Sequence, residues 1–196
     1  MNLVERAKNI VLQPKSEWLV IEGETATVAD LYREYIMPLA AIGPVASIIG
    51  MSMVGINMPM MAAVRVPLSN AITSAIISYV LSLIGVFVIG LIIDALAPNF
   101  GGRQNRLQSF KVATYASTAS WLGGIFLILP VLGIFSFFAM LYGIYLLYLG
   151  LPVLMKAPQE KAGAYTAIVV VVAFVVMVAF GAVSSMFMPM PVAPMR

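Results

Sequence analysis

The chain has 196 residues, 62% of them hydrophobic and only 10% charged, with a mean hydropathy of +1.01, a balance that excludes a soluble globular form. It contains no Cys and no His, which removes disulfides, thiolate metal sites, cysteine nucleophiles and the commonest catalytic base. The net charge is +3, but no basic cluster exceeds three residues, so the surplus does not describe a nucleic-acid surface.

Residues 1–34 form a polar head with six of the eight acidic side chains and four of the eleven basic ones. No signal-peptide pattern opens it, so the apolar runs beyond it are expected to drive insertion themselves. Leu3, Ala7, Ile10 and Val11 keep helical spacing, and Glu5, Arg6, Lys8 and Asn9 fill the other faces. This predicts a short amphipathic helix that ends at Pro14 and lies in the membrane interface. Trp18, set among Leu19, Val20 and Ile21 and flanked by charge, reads as an interface anchor. Thr27 precedes Asp30 by three, a capping-box-like start for a helix running into the first apolar run. The head is therefore expected to anchor the chain at the interface, to dock a cytosolic partner, or both.

Five apolar runs come next, at about 36–56, 71–96, 110–131, 134–155 and 164–185. Each has 21 to 26 residues, enough to cross a hydrocarbon core of about 30 Å at about 1.5 Å per residue. With five crossings the connections alternate sides. One side receives Arg6, Lys8, Lys15, Arg33, Arg103, Arg106, Lys111, Lys156 and Lys161; the other receives only Arg65 and Arg196. Basic loops stay in the cytoplasm, which puts the N-terminus inside and the C-terminus outside. Between the third and fourth runs only Leu132 and Gly133 remain after Pro130, so those two runs are expected to form a tight helical hairpin.

Asp94 is the only carboxylate within the apolar runs, about one turn from the inner end of the second. It sits at a helix C-terminus, where the macrodipole disfavours negative charge. Three readings are open to it: an ion pair with Arg103, Arg106, Lys111 or Lys156, a proton- or cation-coupling site, or a headgroup or partner contact. The same run carries Asn70, Ser74, Ser78 and Ser82 at four-residue spacing. Small polar residues so placed allow close helix packing, and the sharper reading is a polar path that ends near Asp94. Tyr115, Ser117, Thr118 and Ser120 open the third run at about the depth of Asp94. Tyr142, Tyr145 and Tyr148 in the fourth read as packing and belt residues. Nine of the fourteen methionines lie at or beyond the outer ends of the first and last runs. Met58, Met60, Met61, Met186, Met188 and Met190 could offer thioethers to Cu(I), set against the use of methionine as an apolar filler. No other metal and no cofactor is expected.

Taken together, ALAPNFGG (95–102), KVATYASTASWLGGI (111–125), LPVLGI (129–134) and LYGIYLLYLGLPVLMKAP (141–158) resemble the bacterial branch of the Yip1 family. That resemblance implies a five-span integral membrane protein of the inner membrane with a cytoplasmic head. The family's eukaryotic members are Golgi and endoplasmic reticulum proteins that associate with Rab GTPases and influence vesicle formation. Their D-L-Y-G-P motif before the first span is matched by Asp30, Leu31 and Tyr32, while Arg33 and Glu34 replace the glycine and proline. Ala119 stands where many relatives have a proline. No catalytic residues are implied.

The sequence thus predicts an all-α integral membrane protein with five transmembrane helices (35–196) behind an interfacial head (1–34). Its expected function is a non-enzymatic scaffold or adaptor. Glu17, Trp18, Asp30, Tyr32, Arg103 and Arg106 are the candidate cytoplasmic contact surface. The partners expected are the bilayer, a membrane or cytosolic protein, and a second copy of the chain. The alternative is a small channel or transporter using Asn70, Ser74, Ser78, Ser82 and Asp94, with Tyr115 and Thr118 beside them.

Overall fold

The computed structural model describes residues 2–55 and 65–187, with side chains described through Ala182. Every regular element among the described residues is helical. Two short helices, α1 (Leu3–Leu12) and α2 (Pro14–Gly23), form the head. Four longer segments are apolar enough to cross a membrane: Val28–Val54 (α3), Leu68–Phe100, Pro130–Met155 and Gln159–Ala182.

Residues 27 and 30 start α3 as their spacing predicts. Thr27 Oγ1 accepts from the Asp30 N–H at 3.1 Å, and Asp30 Oδ2 accepts from the Thr27 N–H at 2.9 Å. The helix is then loosened where prolines enter it. The ring of Pro38 crowds the carbonyl four residues back, and Leu31–Ile36 widens into a π-turn in which the Met37 N–H bonds Tyr32 O. Pro44 crowds the carbonyl four residues back in the same way, and there the helix breaks at Ala41. By contrast α4 (Leu68–Leu96) runs 29 residues without proline, about 43 Å at 1.5 Å per residue. Tyr32 Oη donates to Leu83 O at 2.8 Å and Tyr79 Oη to Met37 O at 3.2 Å, fastening α3 to α4.

The third apolar run is not one continuous helix. It divides into α5 (Arg106–Ala116), α6 (Thr118–Gly123) and a 3-10 stretch Gly124–Ile128. Ser117 lies at the first joint, where its hydroxyl bonds back to Ala113 O at 2.7 Å, an arrangement that bends helices. The Gly123–Gly124 pair and then Pro130 weaken the helix over the remainder of the run. The first part of this broken segment is the longest fully enclosed stretch among the described residues, with Ser109 through Ala116 all buried. Its 3-10 stretch approaches α3 so closely that a Cβ at Gly50 would collide with the Leu127 carbonyl.

The tight turn after Pro130 is present as a 3-10 turn, Pro130–Leu132, leading into α7 (Gly133–Met155). Ser136 Oγ closes it by donating to Gly123 O at 2.8 Å. The last helix, α8 (Gln159–Phe187), is tied to the C-terminal end of α4. There Tyr165 Oη donates to Ile93 O, and its ring stacks on Phe100 at 4.8 Å.

The head departs from the expected flat interfacial helix. Helices α1 and α2 form a hairpin whose α2 packs along α7 while α1 meets α6, and Tyr142 Oη donates to Val11 O at the hairpin's tip, 2.7 Å. Trp18 is no interface anchor: it is 0% exposed, lying across α7 where a Cβ at Gly150 would sit 2.7 Å from the indole ring. The division expected at residues 34 and 35 falls inside α3, and head and bundle share one core. Gly150→Leu should expel Trp18, costing about 1–3 kcal/mol of stability. Trypsin should then cut at Lys8 and Lys15 much faster than in the parent, and unchanged cleavage would refute this docking.

Candidate functional site

Two opposite charges fall on the apolar stripes of neighbouring helices. Arg6 shares a face of α1 with Leu3 and Ile10, and Glu17 shares a face of α2 with Trp18 and Ile21. Docking these faces buries both charges, and a buried charge is tolerable only when paired. Arg6, 3% exposed, donates to Glu17 at 2.5 Å and also to Glu24, which reaches the surface. Its guanidinium lies 5.5 Å from the centre of the Tyr115 ring, within cation–π range. Tyr115 meets Trp18 and Tyr35 edge-on, and Tyr35 Oη bonds Thr118 Oγ1 at 2.9 Å.

Lys111, 1% exposed, completes this core. Its ammonium donates to Ile21 O at 2.8 Å and to Glu24 O at 2.6 Å. A helix leaves its last carbonyls unsatisfied, and a cation there also opposes the negative end of the macrodipole. Gln108 Nε2 donates to the intervening Glu22 O at 3.2 Å, so α5 caps the end of α2. On the rim Lys156 pairs with the Glu22 carboxylate. A polar cavity of about 440 Å³ opens above Arg6, Tyr35 and Tyr115, with Glu24, Asp30 and Glu34 at its edge.

The expected contact surface is only partly on the outside. Glu17 and Trp18 are buried inside the docked head, and Tyr32 points its hydroxyl inward to α4. Asp30, Arg103 and Arg106 are exposed.

The polar positions of the second apolar run do not converge. Ser78 and Ser82 line a cavity of about 850 Å³ with Ser117, Ser120 and Trp121, whereas Asn70, Ser74 and Asp94 lie outside it. Trp121 Nε1 donates to Ser82 Oγ at 3.4 Å, and Ser78 Oγ donates to Ala75 O at 3.0 Å. Tyr115 faces Trp18 of the head instead, and Thr118 faces Tyr35 of α3. Asp94 does not form the ion pair expected of it: Lys156 and Lys111 are held by the head, and Arg103 and Arg106 make no ion pair among the described residues. Asp94 is half-buried, and its Oδ1 has no hydrogen-bond partner among the described residues. Met58, Met60, Met61, Met188 and Met190 lie outside the described residues, as does the side chain of Met186. Among the described residues no group of three or more His, Cys, Asp or Glu side chains converges on a metal position.

Sequence reading missed Arg6, Lys111 and Gly150. A signal existed for the first: a charge on the apolar stripe of one helix, answered by an opposite charge on the stripe of the next. Lys111 and Gly150 carried no local mark of their partners.

Among known proteins, the family model described as Yip1 domain matches residues 8–180. The chain is also similar to the inner membrane protein YohC of Escherichia coli, at 27% identity over 151 residues, 76% of this chain and 77% of that protein; two strains give the same figures. No solved structure matches it.

Removing one partner of the buried pair should cost more than removing both. Arg6→Met strands the Glu17 carboxylate and should destabilise the protein by about 3–5 kcal/mol. Arg6→Met combined with Glu17→Met should recover much of that loss. Unfolding in detergent, followed by tryptophan fluorescence, measures the difference; equal or additive losses would contradict the pairing.

Proposed function

The chain belongs to the Yip1 family, and from that premise we propose that it is a non-enzymatic scaffold or adaptor of the bacterial inner membrane, working through its basic end. The observation that carries this reading is the prefolded state of that end. Its central charges are consumed internally, with Arg6 by Glu17 and Glu24 and Lys111 by carbonyls, while Glu5, Lys8, Lys15, Asp30, Arg33, Glu34, Arg103, Arg106, Glu160 and Lys161 remain on the exterior. A rigid surface of mixed charge suits specific, reversible protein contacts more than chemistry. Asp30, Arg103 and Arg106 are its centre.

The bilayer lies on the other side of the head. The apolar exposed residues run along α3, α4, α7 and α8 to about the level of Met37, Phe87, Tyr145 and Ile168, and the exposed lysines of the head lie beyond them. Charge exposed to hydrocarbon is costly, so the head stands in the cytosolic and headgroup zone, with the broken segment α5–α6 counted as the fifth crossing. The N-terminus is then inside and the C-terminus outside.

Two measurements test this. The chain has no cysteine of its own, so single-cysteine variants report position cleanly. In intact cells a membrane-impermeant maleimide should label Arg65→Cys and spare Arg103→Cys; the reverse pattern would overturn the orientation. Joint charge reversal at Asp30, Arg103 and Arg106 should reduce recovery of a cross-linked protein partner by ~10-fold, about 1.4 kcal/mol. Unchanged recovery would sink the adaptor reading.

A further inference from the structure

The 850 Å³ cavity lies between α4, the α5–α6 segment, α7 and α8, and none of its lining residues is charged. At one end Val86, Ala113, Leu147 and Val169 close it, all buried. Its rim is made by Phe137 and Met140 of α7 and Phe174 and Met177 of α8, each at least 40% exposed. The cavity is therefore blind toward the basic end and open sideways, between two helices whose outer faces are hydrocarbon.

Its polar atoms make little demand. Ser78 and Ser117 bond carbonyls of their own helices, and Ser82 receives the Trp121 indole. Ser120 is then the one lining hydroxyl with no hydrogen-bond partner among the described residues, and a water needs two to four polar partners to be held. An empty space of this size would forfeit the dispersion contacts of every wall atom. Along α4 the lining runs from Ser78 to Ile89, about 16 Å at 1.5 Å per residue, an elongated shape rather than a compact one.

We propose that this cavity holds one acyl chain of a membrane phospholipid, inserted sideways between α7 and α8, with its headgroup left outside in the bilayer. The walls match the chain in chemistry, the shape matches it in length, and the surrounding bilayer supplies chains in vast excess, so binding follows by mass action. The site goes beyond the adaptor reading and does not depend on it. It makes a lipid part of the packed core, filling the space that separates α7 from α4, with α8 reaching α4 through Tyr165.

The chain's two tryptophans make the test direct. Trp121 lines the cavity but is only 8% exposed, so lipid on the outer surface scarcely reaches it, while Trp18 is sealed in the head. The full chain carrying Trp18→Phe is reconstituted in phosphatidylcholine vesicles, with increasing fractions of a lipid brominated at mid-chain. Trp121 emission should fall about twofold at high brominated fraction, as a filled site requires. Wild type compared with Trp121→Phe supplies the same difference where Trp18→Phe loses its helical signal, and Trp18 itself should be unquenched. Ala173→Phe, which puts a ring among the lining residues and narrows the space open to a chain, should weaken the quenching with the circular dichroism unchanged. Absence of quenching means that protein from this or another copy fills the space and overturns the proposal. Quenching that a folded Ala173→Phe leaves intact also overturns it. Neither result touches the partner-recovery experiment.

Discussion

The burial of Arg6 is the constraint on which the rest of the basic end depends. A guanidinium removed from water must find carboxylates, and the carboxylates it finds are on the next helix and just beyond it, at Glu17 and Glu24. Satisfying that charge folds α1 against α2, and folding them presents Trp18 on the hairpin's inner face. The indole then needs a flat apolar seat, which α7 provides only because residue 150 has no side chain. The outward charges of the head are free for other uses because these inner ones are not.

The α5–α6 segment mediates between the two ends of the molecule. One of its faces, through Lys111, Tyr115 and Thr118, completes the head and the seat of Tyr35. Its other face, through Ser117, Ser120 and Trp121, walls the apolar cavity. A straight, uniformly apolar helix could not serve both. The bend at Ser117 and the loosening after Gly123 turn the chain between these tasks, and glycines at the crossing with α3 let the segment sit at the centre of the bundle.

Local signals in the sequence were readable and long-range ones were not. The Thr27–Asp30 cap, the turn after Pro130 and the long helices around the second and last apolar runs depend on residues a few positions apart. The third run read as an ordinary crossing because hydropathy measures apolar content and is blind to whether the backbone stays α-helical. The head misled for a related reason. An amphipathic stripe states that a face is buried without stating against what, so Trp18 beside charge looked like a lipid anchor although protein covers it. Likewise, four-residue spacing put Asn70, Ser74, Ser78 and Ser82 on one slowly drifting stripe, but only Ser78 and Ser82 reach the cavity. Asp94 looked like one half of an ion pair until the head claimed Lys111 and Lys156.

The caps on α2 impose an order on biogenesis. The carbonyl of Glu24 waits for Lys111, 87 residues later, and the seat of Trp18 arrives later still with Gly150. At about 5–20 residues per second that interval is on the order of ten seconds. Throughout it the head leaves the ribosome with a bare indole and a charge pair lacking its aromatic cover, before its receptacle has been inserted. The head can therefore dock only after α7 has been made, so its docked state reports that every helix between the two has already been synthesised.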